Sequence, residues 1–319
     1  MTTPEHVVLG SGPVGASIAR QLAEAGEAAR VVTRSGRDLG IAGVTSFRAD
    51  ITDPAAVGAA TAGAHTVYFA AQPAYTNWPK GFPPLVDGVL EGIRGTGARL
   101  AVADNLYAYG PTHGTPIRED LPYGATTRKG TARAKVAERF IAAHAAGDLR
   151  VVIGRASDSF GPEVMDSPVG GERFFGPIIS GKTVRVIGDP DARHSLTYLP
   201  DFAAALIELA RHDEAFGEAW HVPTAPAVSI RRFAELVSAA TGSGTPRISR
   251  TSRPMLHVVG AFVPPLREMV EMLYAFDEPL ILDSSKIERA FGLRPTPLEE
   301  ALAETVAWWR ADAATDTAG

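Results

Sequence analysis

Apolar residues along this chain fall into short runs separated by stretches with helical spacing, and the two patterns take turns through the first half. Strand-like runs cover 7–9, 30–33, 44–48, 66–70 and 99–103, while 16–25 and 129–144 carry their apolar residues on one helical face. Between them, Ala49-Asp50-Ile51-Thr52-Asp53-Pro54 places Asp53 to cap a helix that starts on Pro54. Strands alternating with helices, joined by right-handed crossovers, predict an α/β fold with a doubly wound parallel sheet. The segment 73–84, containing Tyr75, Trp78 and Lys80, has the composition of a loop over a site.

Composition narrows the picture. The 319 residues are long enough for one large core or two unequal ones, and 45% hydrophobic residues is ordinary for a globular protein. A formal net charge of -5 argues against a nucleic-acid partner. Cysteine is absent, which excludes disulfides, thiolate catalysis and cysteine metal sites and fits a reducing cytoplasm. No apolar stretch near the N-terminus is long enough for a signal peptide or membrane span, so a cytoplasmic protein without membrane contact is expected. The eight histidines lie far apart and form no HExxH-type spacing, so no metal site is expected.

The most specific chemistry lies in Gly10-Ser11-Gly12-Pro13-Val14-Gly15, a GxGxxG turn between the first strand and the first helix. Glycines at 10 and 12 let backbone N–H groups approach a pyrophosphate, and Gly15 lets the helix pack close to the strand and aim its N-terminus at the anion. Ala70 and Ala71, small residues at the end of a later strand, leave room for the same dinucleotide, and Asp50 and Ile51 stand at another strand end. An acid after the second strand would bind the ribose 2'-hydroxyl of NAD, but the chain has Thr33-Arg34-Ser35-Gly36-Arg37 there. Arg34 and Arg37 suit the 2'-phosphate of NADP, so NADP is expected ahead of NAD; for Arg37 the alternative of a solvated loop charge stays open.

These segments, with Tyr109-Gly110-Pro111, 155–162 and 193–201, resemble the extended short-chain dehydrogenase/reductase superfamily of NAD-dependent epimerases and dehydratases. The resemblance covers nearly the whole chain. It implies a Rossmann domain over 1–165 with 191–222 returning to it, a smaller C-terminal substrate lobe over 166–190 and 223–310, a frayed tail over 311–319, a small-molecule substrate and a homodimer. Within the lobe, 162–175 is the expected substrate-contacting loop, with Phe174 and Phe175 as core residues the alternative. In 255–274, Met269, Met272 and Leu273 have the spacing of core positions.

Two departures mark the chain as an atypical member. Leu9 stands where the superfamily's usual GxxGxxG begins, and the catalytic YxxxK pair is missing. The residues four positions after the seven tyrosines are Gln72, Pro79, Pro111, His113, Thr127, Phe202 and Glu278. Aligned on Glu138, the helix has Gly130 and Ala134 where the family has tyrosine and lysine, and Asp104-Asn105 replaces its serine or threonine. Substitutes are close in sequence. Tyr107 leaves the fifth strand toward the cleft, Lys129 and Arg133 share a helix face at i and i+4, Asp104 suits a base and Asn105 an oxyanion donor. Their alternatives are packing for Tyr107, a solvated helix start for Lys129 and Arg133, and loop hydrogen bonding for Asp104 and Asn105. The expected function is an NAD(P)-binding oxidoreductase or epimerase acting on a small polar carbonyl or hydroxyl compound with non-standard proton-transfer residues. A non-redox dehydratase or isomerase, and an inactive dinucleotide-sensing protein, stay open.

Overall fold

The computed structural model describes residues 5–251, 256 and 268–316, with side chains as far as Asp312. The chain forms two compact units. The first comprises Met1–Gly110, Tyr123–Arg155 and Phe202–Val222. Its centre is a seven-stranded parallel sheet of β1 (His6–Leu9), β2 (Ala29–Thr33), β3 (Val44–Arg48), β4 (Thr66–Phe69), β5 (Arg99–Asn105), β6 (Arg150–Ala156) and β11 (Ala219–His221). The spatial order is β11-β6-β5-β4-β1-β2-β3, so the winding reverses at β1 and β4. That reversal is where the carboxyl ends of a doubly wound sheet open a crevice for ligands. All of β1 and β4 is buried, as the continuous apolar runs require of strands covered on both faces.

The helices of this unit are set by local signals and by apolar stripes. α1 (Pro13–Glu24) starts on a proline directly after Gly12, three residues before the sequence reading placed it. α2 (Pro54–Thr61) is capped as expected, with the Ala55 amide donating to Asp53 Oδ1 at 2.9 Å. The expected loop over 73–84 is instead a short 3₁₀ turn, Tyr75–Asn77, followed by α3 (Trp78–Ile93) with Pro83 and Pro84 inside it. Prolines read as loop punctuation, but Trp78, Phe82, Val86, Val89, Leu90 and Ile93 form a stripe whose burial outweighs two missing backbone donors. α4 (Arg128–Ala145) is capped by Thr127, whose hydroxyl accepts from the Gly130 amide at 3.1 Å.

The second unit comprises Pro111–Pro122, Ala156–Asp201 and Pro223–Gly319. Its strands pair two by two: β7 (Asp158–Phe160) with β10 (Leu196–Tyr198), β8 (Val184–Ile187) with β13 (Ile248–Thr251), and β9 (Arg193–His194) with β12 (Val228–Ser229). The expected return of 191–222 to the large sheet therefore begins later, from Phe202, because β10 pairs with β7 and the last strand of the large sheet is β11. Residues 111–122 also belong here, anchored where Ile117 bridges Leu282. Phe174 and Phe175 lie on α5 (Glu172–Ile179) as buried core, packed with Phe233 and, for Phe175, stacked on Trp309 at 5.9 Å. Met272 and Leu273 are buried, and most of 255–267 lies outside the described residues. Among the described residues no helix is long and apolar enough to cross a membrane.

Candidate active site

Each glycine of the turn after β1 has a different physical reason. Gly10 adopts φ of +112°, and a Cβ there would lie 2.9 Å from both N and Cα of Ala71. Its own conformation and its contact with the end of β4 thus both exclude a side chain. A Cβ on Gly15 would collide with the Gly10 carbonyl oxygen, so Gly15 holds α1 against the turn. Gly12 differs from both: its φ is an ordinary -69°, and a Cβ would meet nothing within 4 Å. The protein's own packing does not require glycine at 12. What glycine leaves there is open space in front of the N–H groups of α1, with Ser11 and Val14 half-buried beside it.

The loop after β2 is folded onto Thr33, whose hydroxyl accepts from the amides of Gly36 at 2.9 Å and Arg37 at 3.2 Å. This leaves Arg34 and Arg37 exposed. Strand pairing adds a third arginine: Arg48 of β3 lies opposite Thr33, and its Nε donates to the Arg34 carbonyl at 3.2 Å. Sequence reading missed Arg48 because only the register of β2 with β3 brings it to this loop. Asp50 accepts from the amide and hydroxyl of Thr52 at 3.0 and 2.9 Å. Those bonds, with a smaller contribution from Arg34, hold its carboxyl below the usual range. Ile51 is buried, and Ala70 and Ala71 are half-buried under the glycine turn.

The residues proposed for chemistry converge at the ends of β4 and β5. Asp104, next to last in β5, is buried and accepts from Arg155 Nε of β6 at 3.1 Å through Oδ2. Its Oδ1 lies 3.5 Å from Arg133 Nη1 of α4, an ion-pair distance without a hydrogen bond. Arg133 also donates from Nη2 to Gln72 Oε1 at 3.0 Å, and its guanidinium carbon sits 4.3 Å from the Trp78 ring centre and 4.5 Å from that of Phe82. Lys129 points its ammonium at Tyr75, 4.4 Å from the ring centre. Lys129 is only 1% exposed and Arg133 6%, which removes the reading of a solvated helix start. Asn105 takes the duller of its two expected roles, accepting from the Tyr107 amide at 3.1 Å. Tyr107 opens a 3₁₀ turn, Tyr107–Tyr109, with its ring 5.9 Å from that of Trp78.

Burial and charge act differently on the two arginines. Burial pulls Arg133 below its ordinary pKa, against the attraction of Asp104 and of Tyr107. Burial works the same way on Arg155, but Asp104, Tyr109 and Tyr123 outweigh it and hold Arg155 above its ordinary value. Arg155 donates to Tyr109 Oη at 2.7 Å and to Tyr123 Oη, and Tyr109 Oη lies 2.9 Å from His221 Nε2. Tyr109 Oη thus links the Arg155 guanidinium to the His221 imidazole. Tyr109 and Arg155 served the sequence reading only as part of the family's segments, and Tyr123 and His221 had no role in it. The missing signal is long-range: they come from β6, a turn, a loop and β11. Among the described residues there is no group of three or more side chains suited to a metal ion.

Gly130, set by the resemblance against the family's catalytic tyrosine, has no room for a side chain. A Cβ there would lie 2.5 Å from both the Tyr107 carbonyl oxygen and Ala125 Cβ. In this chain α4 is seated at Gly130 directly on the start of the Tyr107–Tyr109 turn.

No curated protein matches the chain in sequence. Solved structures with the same fold include a UDP-N-acetylglucosamine 4-epimerase from Bacillus cereus, 14% identical, with a TM-score of 0.76 over 96% of each chain. A UDP-glucuronic acid 4-epimerase from Bacillus cereus in complex with NAD is 15% identical, with a TM-score of 0.76 over 96% of this chain and 98% of that one. A double mutant of DesIV, a dTDP-glucose 4,6-dehydratase from Streptomyces venezuelae with NAD bound, is 17% identical, with a TM-score of 0.76 over 97% of this chain and 98% of that one. At these identities the likeness is one of fold. The family model of NAD dependent epimerases and dehydratases matches residues 7–222, more than half of the chain. The glycine turn, the sheet that carries it and this match together establish that the chain belongs to the NAD dependent epimerase/dehydratase family, a family of enzymes.

Proposed function

We propose that this chain is an oxidoreductase or epimerase that uses NADP in preference to NAD and acts on a small polar carbonyl or hydroxyl compound. The observation that carries the reading is Gly12, a glycine with ordinary backbone angles facing open space at a helix N-terminus, as a site for a pyrophosphate requires. In this reading the turn from Gly10 to Gly15 holds the pyrophosphate, Ala70 and Ala71 flank it, and Arg34 with Arg37 and Arg48 takes the 2'-phosphate. A nicotinamide, when bound, supplies the hydride acceptor or donor.

The proton falls to the chain's own residues. Tyr107 is our choice of acid and base. Its phenol oxygen takes the substrate's hydroxyl proton as the carbon loses hydride, and returns it in the reverse direction. Arg133 stands beside it, near enough for charge on Tyr107 to be felt at the guanidinium. Lys129 adds a second buried cation on the same helix face. Asp104, engaged by Arg155 and beside Arg133, serves as the counter-ion that positions both, and Asn105 holds the turn on which Tyr107 sits. The same reading places the enzyme in the cytoplasm as a homodimer.

Titrating the purified protein with NADPH and with NADH, followed by heat or fluorescence, tests the reading. Saturable binding with NADPH tighter than NADH is expected, and binding of neither overturns the oxidoreductase reading.

A further inference from the structure

Two buried guanidinium groups in the first unit, those of Arg133 and Arg155, share one carboxylate, that of Asp104. Each nitrogen of Arg155 has an acceptor, Nε on Asp104 and the other two on the phenol oxygens of Tyr109 and Tyr123. Arg133 does not. Its Nη2 meets the neutral amide oxygen of Gln72, its Nη1 stands at ion-pair distance from Asp104, and its buried Nε has no acceptor. Nε and Nη2 lie on one edge of a guanidinium, the edge that forms a side-on fork with a carboxylate. Gln72 therefore fills half of a two-donor site, and fills it with an uncharged group.

Gln72 is also the member of the cluster that solvent reaches. It is exposed, just beyond the carboxyl end of β4, whereas Trp78, Phe82, Asp104 and Arg133 are buried. A ligand arriving at the strand ends meets Gln72 first and, by displacing one bond to a neutral acceptor, offers both donors of that edge an anionic one. Packing of the guanidinium on Trp78 and Phe82 fixes its plane before anything binds, which suits a planar acid group. Leaving a desolvated cation with half a counter-ion is costly, and an incoming anion removes that cost.

We propose that Arg133 and Gln72 form a receptor for a carboxylate, and that the substrate is accordingly a hydroxy or keto compound bearing an acid group. The proposal rests on the functional reading above only in taking this crevice as the substrate's.

The test is titration with oxalate against chloride at constant ionic strength, reading tryptophan fluorescence and the thermal midpoint. Wild type is expected to saturate and to rise in midpoint. Arg133→Met should weaken oxalate at least about tenfold, the scale of losing a charge-assisted fork. Gln72→Glu places a carboxylate on the fork from within the chain, so it should raise the midpoint and abolish the oxalate response. Arg34→Ala should leave the response intact, which separates this site from the phosphate cradle. The proposal fails if wild type does not respond, if Arg133→Met responds as wild type does, if Arg34→Ala removes the response, or if Gln72→Glu keeps it. Saturation by oxalate without NADPH binding would sink the dinucleotide reading and leave the receptor standing; NADPH binding without an oxalate response would do the reverse.

Discussion

In the proposed reading single side chains decide cofactor choice and proton transfer, and the predictions at this scale belong to them. Arg34 is exposed, and its backbone carbonyl is held by Arg48, so the loop that presents it is braced before a ligand arrives. Arg34→Ala should cost NADPH about 1.5–3 kcal/mol, tenfold or more in affinity, and leave NADH nearly unchanged. Paired titrations check this, and equal losses would move the 2'-phosphate elsewhere. Tyr107→Phe should lower turnover about a hundredfold while sparing cofactor affinity, as loss of an acid-base group does. A pH–rate profile of this variant separates loss of an acid-base group from a merely structural effect. Arg34, Tyr107, Lys129, Arg133 and Asp104 could be named from sequence because each lies beside a recognisable motif. Arg48, Gln72 and Arg155 could not, since their roles depend on strand register and on which segments meet.

At the scale of elements, the informative pieces are α1 with its turn and α4 with the turn it rests on. Gly12 faces open space, so Gly12→Val should leave the thermal midpoint within a degree or two of wild type and weaken both dinucleotides severely. A matching drop in midpoint would mean that Gly12 serves packing after all. Gly130 is the opposite case: its Cβ would press on the Tyr107 carbonyl and Ala125. Gly130→Ala gains helix propensity of roughly 1 kcal/mol but must push α4 off the Tyr107–Tyr109 turn, and a net loss of about 1–3 kcal/mol is expected by urea unfolding. Propensity read from sequence has the sign wrong here, as it does for the two prolines inside α3. In both places the apolar stripe and the neighbouring element, not the local residue, set the outcome.

For the whole molecule, the buried ends of the central strands couple stability to pH. His6 opens β1, and burial pulls its pKa below the ordinary 6.5, against the raising effect of Glu27 at 2.7 Å. The folded chain thus resists protonation that the unfolded chain accepts. The stabilisation is complete above about pH 6.5 and is lost as pH falls below it toward the folded value. Thermal midpoints between about pH 7.5 and 5 should fall more steeply for wild type than for His6→Gln, and parallel slopes would remove His6 as the cause. By itself the sequence determined the strand and helix alternation, the parallel doubly wound sheet and the glycine turn, because these follow from period, chain punctuation and backbone freedom within a few residues. It also named most of the polar side chains around Asp104. Only the tertiary structure decided that Lys129 and Arg133 are buried rather than solvated, that Arg155 reaches Asp104 and two tyrosines, and that Gly130 leaves no space for a tyrosine. Those facts depend on contacts between residues tens of positions apart, where a charge's partner and its distance from water are set by packing and carry no local signature.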